Sequence, residues 1–267
     1  MILADLLLRM TRNLLFCNII HHLLSGDTSP HYGYKNGHKA GPQWDEVFSN
    51  MRFVVKTLEN TFPETKIIPA LGNHDAYPFD DFVDSKLDQN LTQFYSQYID
   101  KAAFGDLFSK LDNGARDSFV NNCGFYVVKD DMYVRDGPIQ TFIVLNTNLY
   151  YGNKDKVQKD DPCDQLSLLN ATLANATSEE NIFIVGHVPP GFFDLYPRNP
   201  FFDNENITTK MLDIVTKKEY ADKIVAHFYG HTHVSSFRLF LDQTNRQIPR
   251  GIAFLAPSVT PRVNISL

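Results

Sequence analysis

Residues 66–75 decide the fold, and they read Lys66-Ile-Ile-Pro-Ala-Leu-Gly72-Asn73-His74-Asp75. A short apolar run bounded by glycine is typical of a buried strand. Glycine at the strand end permits a sharp turn, which directs the following side chains out of the sheet. The amide, imidazole and carboxylate that follow are metal-ligand types. The segment therefore predicts a buried strand with metal ligands at its C-terminal end.

Three further segments share this design of an apolar run, a glycine and a polar side chain, and a fifth run at 141–148 ends in polar residues without the glycine. In α/β sheets, ligand sites collect where the C-terminal ends of strands open into loops. We therefore expect the side chains after the glycines to meet at one edge of a sheet. The three segments end in Gly26-Asp27, Gly186-His187 and Gly230-His231-Thr-His233.

Amphipathic helices are predicted between these strands. Apolar side chains recur at helical spacing in residues 43–60, 163–174 and 209–220. Strands that alternate with helices predict an α/β architecture. Since no linker interrupts the 267 residues, of which 43% are hydrophobic, we expect a single domain over 1–267.

The charge distribution limits the partners. The net charge is −6, from 25 basic and 31 acidic residues, and the basic residues form no stripe. Duplex nucleic acid is therefore not an expected partner, although a small nucleotide remains compatible. The sequence does not determine the oligomeric state, for which a monomer is the expectation.

Cysteines and glycosylation sequons bear on the compartment. Cys17, Cys123 and Cys163 allow one disulfide with a free thiol, or a partner in a longer chain. The number of Asn-x-Ser/Thr sequons exceeds the roughly two expected by chance, which favours a secreted or lysosomal protein. Residues 1–24 are apolar-rich, but charged residues interrupt them and no signal peptide is predicted in this chain. The sequons begin at Asn90, Asn170, Asn175, Asn206 and Asn264.

The residue types favour a dinuclear metal centre built from Asp27, Asn73, His187, His231 and His233. Any one of these histidines, taken alone, is most simply interpreted as a solvated loop residue. Four Gly-terminated segments in this order favour a functional site instead. Imidazoles with one carboxylate and one amide suit zinc, manganese or iron rather than calcium. Two such ions, about 3.5–4 Å apart, can hold a bridging hydroxide. They can also stabilise the attacking and the leaving oxygen of an in-line displacement at phosphorus.

The order Gly-Asp, Gly-Asn-His-Asp, Gly-His and Gly-His-Thr-His resembles the signature of the calcineurin-like metallophosphoesterases. Longer segments resemble the acid sphingomyelinase-like phosphodiesterases, and the likeness covers residues 26–261. This resemblance implies a four-layer sandwich of two mixed β-sheets flanked by helices, two zinc ions and phosphodiester or phosphoanhydride hydrolysis at acidic pH. The longer segments include Gly26-Asp27-Thr-Ser-Pro-His31, Gly186-His-Val-Pro-Pro-Gly-Phe-Phe193 and Phe254-Leu-Ala-Pro-Ser-Val-Thr-Pro261.

The resemblance also implies roles for the individual ligands. Asp27, Asn73, His187 and His231 would hold the second metal ion. Asp27 would bridge to the first ion, to which His233 would also bind.

The same resemblance implies two catalytic histidines. His74 and His31 would face the phosphate, where either could protonate the leaving oxygen. Asp75 would orient His74 from behind.

Two departures from the family pattern limit these expectations. No Asp-x-His pair precedes Asp27, since Asp5 is followed by Leu6 and Leu7. We also expect neither the saposin-like domain of acid sphingomyelinase nor the family's usual C-terminal region beyond Pro261. We therefore expect a fold that lacks its first strand and its C-terminal region. With two protein ligands left for the first ion, about one zinc ion per chain is expected, unless His21 or His22 completes the site.

Three functions remain open from the sequence. The leading one is hydrolysis of a small phosphodiester, as in sphingomyelin phosphodiesterases, and a phospholipid substrate would allow a peripheral contact with a membrane. The second is hydrolysis of a nucleotide or another phosphoanhydride at the same site. The third is a non-catalytic remnant, because the upstream Asp-x-His ligands are absent.

Overall fold

The computed structural model describes residues 21–29, 34–35, 38–39, 43–87, 91, 93–130, 138–152, 160–193, 200–202 and 205–259. These residues form ten strands, seven α-helices and two short 3₁₀ turns. The strands are β1 (His21–Leu24), β2 (Tyr34–Lys35), β3 (His38–Lys39), β4 (Lys66–Pro69), β5 (Tyr126–Asp130), β6 (Ile139–Val144), β7 (Glu180–Val185), β8 (Ile224–Tyr229), β9 (Ser236–Leu241) and β10 (Pro249–Leu255). The helices are α1 (Trp44–Thr61), α2 (Ser96–Lys101), α3 (Phe104–Ser109), α4 (Asn113–Asn121), α5 (Gln165–Asn175), α6 (Glu205–Val215) and α7 (Lys218–Ala221), and the 3₁₀ turns are Thr147–Tyr150 and Pro162–Asp164.

The largest sheet has six strands in the order β5-β6-β7-β8-β10-β9. Strands β6, β7, β8 and β10 run parallel, and the outer strands β5 and β9 pair antiparallel to their neighbours. Strands β1 and β4 form a second, parallel sheet, and β2 pairs antiparallel with β3. The six-stranded sheet and the β1–β4 sheet thus both contain parallel strands whose C-terminal ends can carry ligand loops.

The β1–β4 sheet packs against the six-stranded sheet at β5 and β6. The ring of His21 in β1 lies 4.8 Å from the ring of Phe142 in β6. Tyr126 in β5 donates a hydrogen bond of 2.7 Å to the carbonyl of Pro69 at the end of β4.

The structure confirms the predicted α/β sandwich of two sheets flanked by helices. Asn148, after β6, donates to the Leu71 carbonyl after β4 at 2.7 Å. His187 Nδ1, after β7, lies 2.6 Å from the Ser25 carbonyl after β1, so these strand ends lie side by side.

The predicted helices agree with the structure with one exception. The predictions at 43–60 and 163–174 correspond to α1 and α5. The prediction at 209–220 is divided into α6 and α7, because Lys217 adopts a non-helical backbone with ψ 128°. The prediction of a single domain over 1–267 remains a prediction.

A disulfide joins Cys123, which follows α4, to Cys163 in the second 3₁₀ turn. Both cysteines are fully buried, and the backbone N–H of Cys163 donates to the Asp84 carboxylate at 3.0 Å. Because both sulfur atoms are committed to the disulfide, this group is structural and does not offer thiolates to a metal. Cys17 lies outside the described residues.

Among the described helices, none combines the length and the apolar character that a membrane crossing requires.

Candidate active site

Two glycines allow the loops after β1 and β4 to touch. A Cβ atom at Gly26 would lie 2.2 Å from the backbone N of Gly72, and one at Gly72 would lie 1.9 Å from the backbone N of Asp27. Gly26 also has φ +90°, which side chains rarely tolerate. The glycines that ended the sequence motifs are therefore required, because only their bare backbones bring Asp27 and Asn73 together.

Three of the five predicted ligands have left-handed backbone conformations. The φ angles are 55° at Asp27, 67° at His231 and 62° at His233. Such conformations cost on the order of 1–3 kcal/mol each for residues other than glycine, and they persist only where the surrounding structure holds them. Their concentration in one set of loops indicates that these side chains are placed for function.

Four of the five predicted ligands meet at the strand ends. His187, after β7, places its Nε2 atom 2.8 Å from Asn73 Oδ1 and 3.2 Å from Asp27 Oδ2. His231, after β8, places Nδ1 3.0 Å from the same Asn73 oxygen. Asn73 and His187 are buried. The structure thus brings four predicted ligands from four separate segments into one cluster.

The hydrogen-bond partners of this cluster show which atoms carry lone pairs. His187 Nδ1 lies 2.6 Å from the carbonyl of Ser25, which can only accept, so Nδ1 carries the proton. The Nε2 atom faces the oxygens of Asp27 and Asn73, to which it donates when the ring is protonated and presents a lone pair when the ring is neutral. Lone pairs that converge in a buried space repel one another unless a proton on Nε2 or a metal ion lies among them. The donor set therefore fits a divalent metal ion.

The electrostatics act differently on the individual predicted ligands. Burial by itself lowers the pKa of His187, but Asp27 and the Ser25 carbonyl raise it above its usual value, so a metal ion at its Nε2 atom would displace a proton. Burial, reinforced by the nearby His187, lowers the pKa of His231 to about 3, so this ring is neutral even in mildly acidic solution. Burial by itself raises the pKa of Asp27, but His187 and His74 hold it below its usual value. A neutral imidazole and an ionised carboxylate are the forms that bind metal.

Asp75 ties the two ligand loops together. Its Oδ2 atom accepts from the backbone N–H groups of Gly72 (2.8 Å) and Asp27 (3.0 Å). Its Oδ1 atom accepts from Thr28 N (2.9 Å), Thr28 Oγ1 (2.7 Å) and Ser29 N (3.3 Å). Burial and the neighbouring Asp27 raise the pKa of Asp75 to about 6, whereas these hydrogen bonds act in the opposite direction. Asp75 therefore orders the loop that carries Asp27, and its predicted role toward His74 stays a prediction.

The three remaining predicted histidines differ in their surroundings. His74 is half-buried, its backbone N–H donates to Asp27 Oδ1 at 2.8 Å, and its ring stacks on Phe79 at 5.3 Å. His233 is half-buried and acts electrostatically on His231. His31 lies outside the described residues, so its role stays a prediction.

The suggestion that His21 or His22 completes the metal site is wrong. His21 stands at the start of β1 and bonds to Asp130 at 2.8 Å, and His22 packs on Phe62 with ring centroids 4.3 Å apart. Both rings are engaged at the end of the sheet opposite to Asp27.

Sequence reasoning missed two residues that position ligands. Thr147 Oγ1 accepts from the backbone N–H groups of His187 (3.1 Å) and Val188 (2.8 Å), which fixes the turn after β7. Asp80 accepts a hydrogen bond of 2.8 Å from Asn73 Nδ2. The polar end of the fifth apolar run pointed to Thr147, but no pattern in the sequence pointed to Asp80.

An aromatic wall, formed by Tyr151, Phe193 and Phe201, borders His231. The ring centroids lie 4.8, 6.0 and 5.7 Å from that of His231, respectively. Arg238 stabilises the wall, since its guanidinium lies 4.8 Å over the Phe201 ring and donates to the Phe192 carbonyl at 2.7 Å. One side of the cluster of predicted ligands is therefore apolar and can exclude water.

A two-sheet α/β sandwich with aspartate, asparagine and histidine ligands converging at its strand ends defines the metallophosphoesterase class. A family model described as calcineurin-like phosphoesterase matches residues 7–235, and the chain belongs to this family. Membership implies a centre for divalent metal ions.

Within this family, the chain is similar to several curated phosphodiesterases. The chain is 31% identical over 253 residues to sphingomyelinase phosphodiesterase C of Dictyostelium discoideum, covering 90% of this chain and 49% of the relative. It is 31% identical over 243 residues to acid sphingomyelinase-like phosphodiesterase 3b of Mus musculus, covering 90% and 48%. It is 33% identical over 241 residues to cyclic GMP-AMP phosphodiesterase SMPDL3A of Homo sapiens, covering 89% and 47%. The chain thus spans about half the length of these relatives.

Proposed function

We propose that this protein is a metal-dependent phosphodiester hydrolase. The observation that carries the proposal is the convergence of Asp27 Oδ2, Asn73 Oδ1, His187 Nε2 and His231 Nδ1. The names of the relatives support it, because each is called a phosphodiesterase.

The converging side chains would hold one divalent ion, and an imidazole-rich set favours zinc. Asp27 and His233 would contribute to the other, more weakly held ion, which is the first ion of the family pattern. When bound, the metal centre supplies positive charge that polarises the phosphoryl group and activates water for its attack.

The chain's own residues would bind, orient and protonate the substrate. His74 lies next to a ligand and is anchored through its backbone to Asp27, so its ring can reach a phosphate held at the cluster. As an imidazolium, His74 would donate a proton to the departing oxygen, and His31 is the other candidate for that role. The aromatic wall would exclude bulk water from the side next to His231.

The substrate is a small phosphodiester, either a phospholipid headgroup or a nucleotide. The relatives carry both kinds of name, acid sphingomyelinase-like phosphodiesterase and cyclic GMP-AMP phosphodiesterase. We also propose that the protein is a secreted or lysosomal glycoprotein, on the basis of its five sequons.

A substrate panel tests this proposal. Zinc-loaded protein is incubated with sphingomyelin, cyclic GMP-AMP and ATP, and the products are separated by mass spectrometry. Asp27→Asn is the matched control, because it removes the charge without changing the size of the side chain. Cleavage of a diester by the unaltered protein alone supports the proposal. Cleavage of ATP alone favours the nucleotide phosphoanhydride hydrolase, and cleavage of none despite bound zinc favours the non-catalytic remnant.

A further inference from the structure

Asp80 holds the Asn73 residue by two hydrogen bonds. Asn73 Nδ2 donates to Asp80 Oδ1 at 2.8 Å, and the backbone N–H of Asp80 donates to the Asn73 carbonyl at 2.8 Å. The second bond fixes the distance between the two residues, so the carboxylate stays within reach of the amide.

The bond to the side chain decides which end of the amide faces the metal cluster. An asparagine amide has an acceptor oxygen and a donor nitrogen at nearly equivalent positions, whereas an ionised carboxylate only accepts. The nitrogen must therefore face Asp80, and the oxygen faces the rings of His187 and His231. A flipped amide would direct N–H groups at the cation and would repel it.

Asp80 is placed for this task at a conformational cost. Its φ is 65°, in the left-handed region. The neighbouring Gly152 leaves room for the Asp80 side chain. A side chain at position 152 would place its Cβ atom 2.9 Å from the Cβ atom of Asp80, which is too close. Gly152 itself has φ +76°. Both features indicate that the backbone around Asp80 is held in place at this position.

We propose that Asp80 is a positioning residue of the metal centre, which sets the orientation of the Asn73 amide, and that Gly152 is required to seat it. This inference rests on the proposed function, since it takes the cluster around Asn73 as a metal site. Asp80 lies behind the ligand and acts on the metal through it.

Metal affinity provides the test, with cobalt(II) as the probe because its visible absorption reports the ligand set. Asp80→Ala is expected to weaken binding by about 10–100-fold, the usual range for partners behind a ligand. Gly152→Val is expected to weaken it in the same direction. Asp80→Asn keeps an acceptor oxygen for Asn73 Nδ2 and should recover most of the affinity and the absorption band.

Two controls separate this inference from the metal site itself. Asp106→Ala removes an exposed carboxylate that pairs with Lys56, and it should leave cobalt binding unchanged. Asn73→Ala removes the ligand, and circular dichroism establishes that each variant is folded. If Asn73→Ala loses cobalt but Asp80→Ala does not, or if Asp80→Asn is as defective as Asp80→Ala, the positioning role is overturned. If Asn73→Ala keeps full affinity, the proposed metal site is wrong.

Discussion

Asn73 Oδ1 lies 2.8 Å from His187 Nε2, two atoms that both carry lone pairs when the side chains are neutral. Asp27 Oδ2 lies 3.2 Å from the same nitrogen, so three electron-rich atoms share one buried space. These atoms therefore require either a proton on Nε2 or a metal ion among them.

The contact between the loop glycines predicts that one added methyl group at Gly72 disrupts zinc binding, whereas the same group at an uncrowded glycine does not. Gly72→Ala should abolish high-affinity zinc binding and lower the melting temperature, because its Cβ atom would lie 1.9 Å from the Asp27 nitrogen. Gly114→Ala is the matched control, since a Cβ atom there meets its nearest neighbour at 3.5 Å. Zinc titration of both variants tests the prediction, which fails if the two bind zinc equally well.

Removal of the Asp75 carboxylate should destabilise the fold. Asp75→Ala leaves the donors of Gly72, Asp27, Thr28 and Ser29 without their acceptor in a buried site. We expect the free energy of unfolding to fall by at least about 3 kcal/mol, given about 1–3 kcal/mol for each buried group left unsatisfied.

Urea unfolding of metal-free protein measures this loss. Asp106→Ala serves again as the exposed control and should change the free energy of unfolding by no more than about 1 kcal/mol. Equal changes in the two variants would show that the Asp75 hydrogen bonds do not stabilise the loop.

His227 predicts a loss of stability in acid. This residue of β8 is buried against Phe240, and burial lowers its pKa to about 3 from 6.5. A lowered histidine pKa means that the unfolded chain binds the proton more readily, so stability declines as pH falls below 6.5. The loss is about 1.4 kcal/mol per pH unit, or about 2 kcal/mol at pH 5.

Substitution of this histidine should remove that loss. In metal-free His227→Phe, the difference in unfolding free energy between pH 7 and pH 5 should be smaller by about 2 kcal/mol than in the unaltered chain. Urea unfolding at both pH values measures it. The same pH sensitivity in both proteins would mean that His227 is not buried in its neutral form.

The leaving group should determine how much the protein depends on His74. His74→Gln should slow hydrolysis of an alkyl phosphodiester by about a hundredfold, because a poor leaving group needs the proton. Hydrolysis of a nitrophenyl phosphodiester, whose leaving group departs as the anion, should slow much less. Equal losses with both substrates would remove the proton-donating role from His74.

The structure distinguishes between two neighbouring sequons. Asn175 is exposed at the end of α5, whereas Asn170 is half-buried and its Oδ1 atom accepts from Lys217 Nζ at 3.3 Å. After expression through a eukaryotic secretory pathway, Asn175→Gln should lose a glycan and Asn170→Gln should not. Intact mass before and after deglycosylation gives the answer, and a glycan found only on Asn170 contradicts the prediction.

The sequence predicted the main strands and the ligand cluster because both depend on local patterns. An apolar run followed by Gly72-Asn73 is sufficient to predict a strand and the turn after it, and parallel strands bring such turns together. Asp80 could not be predicted, since it contacts Asn73 through a loop without periodicity. The break at Lys217 was missed for a similar reason, because the apolar spacing continues through it. Helices α2 and α3 have six residues each, too few to establish a helical pattern.

The most direct test of the metal centre is the rate of bis(4-nitrophenyl) phosphate hydrolysis as zinc is added to metal-free protein. For the 267-residue chain, the rate should rise and saturate near one zinc ion per chain. His187→Ala should stay at least about a hundredfold slower, equivalent to roughly 2.7 kcal/mol of activation free energy. A zinc-dependent rate that is the same in both proteins, or no zinc-dependent rate in the unaltered chain, would contradict the account.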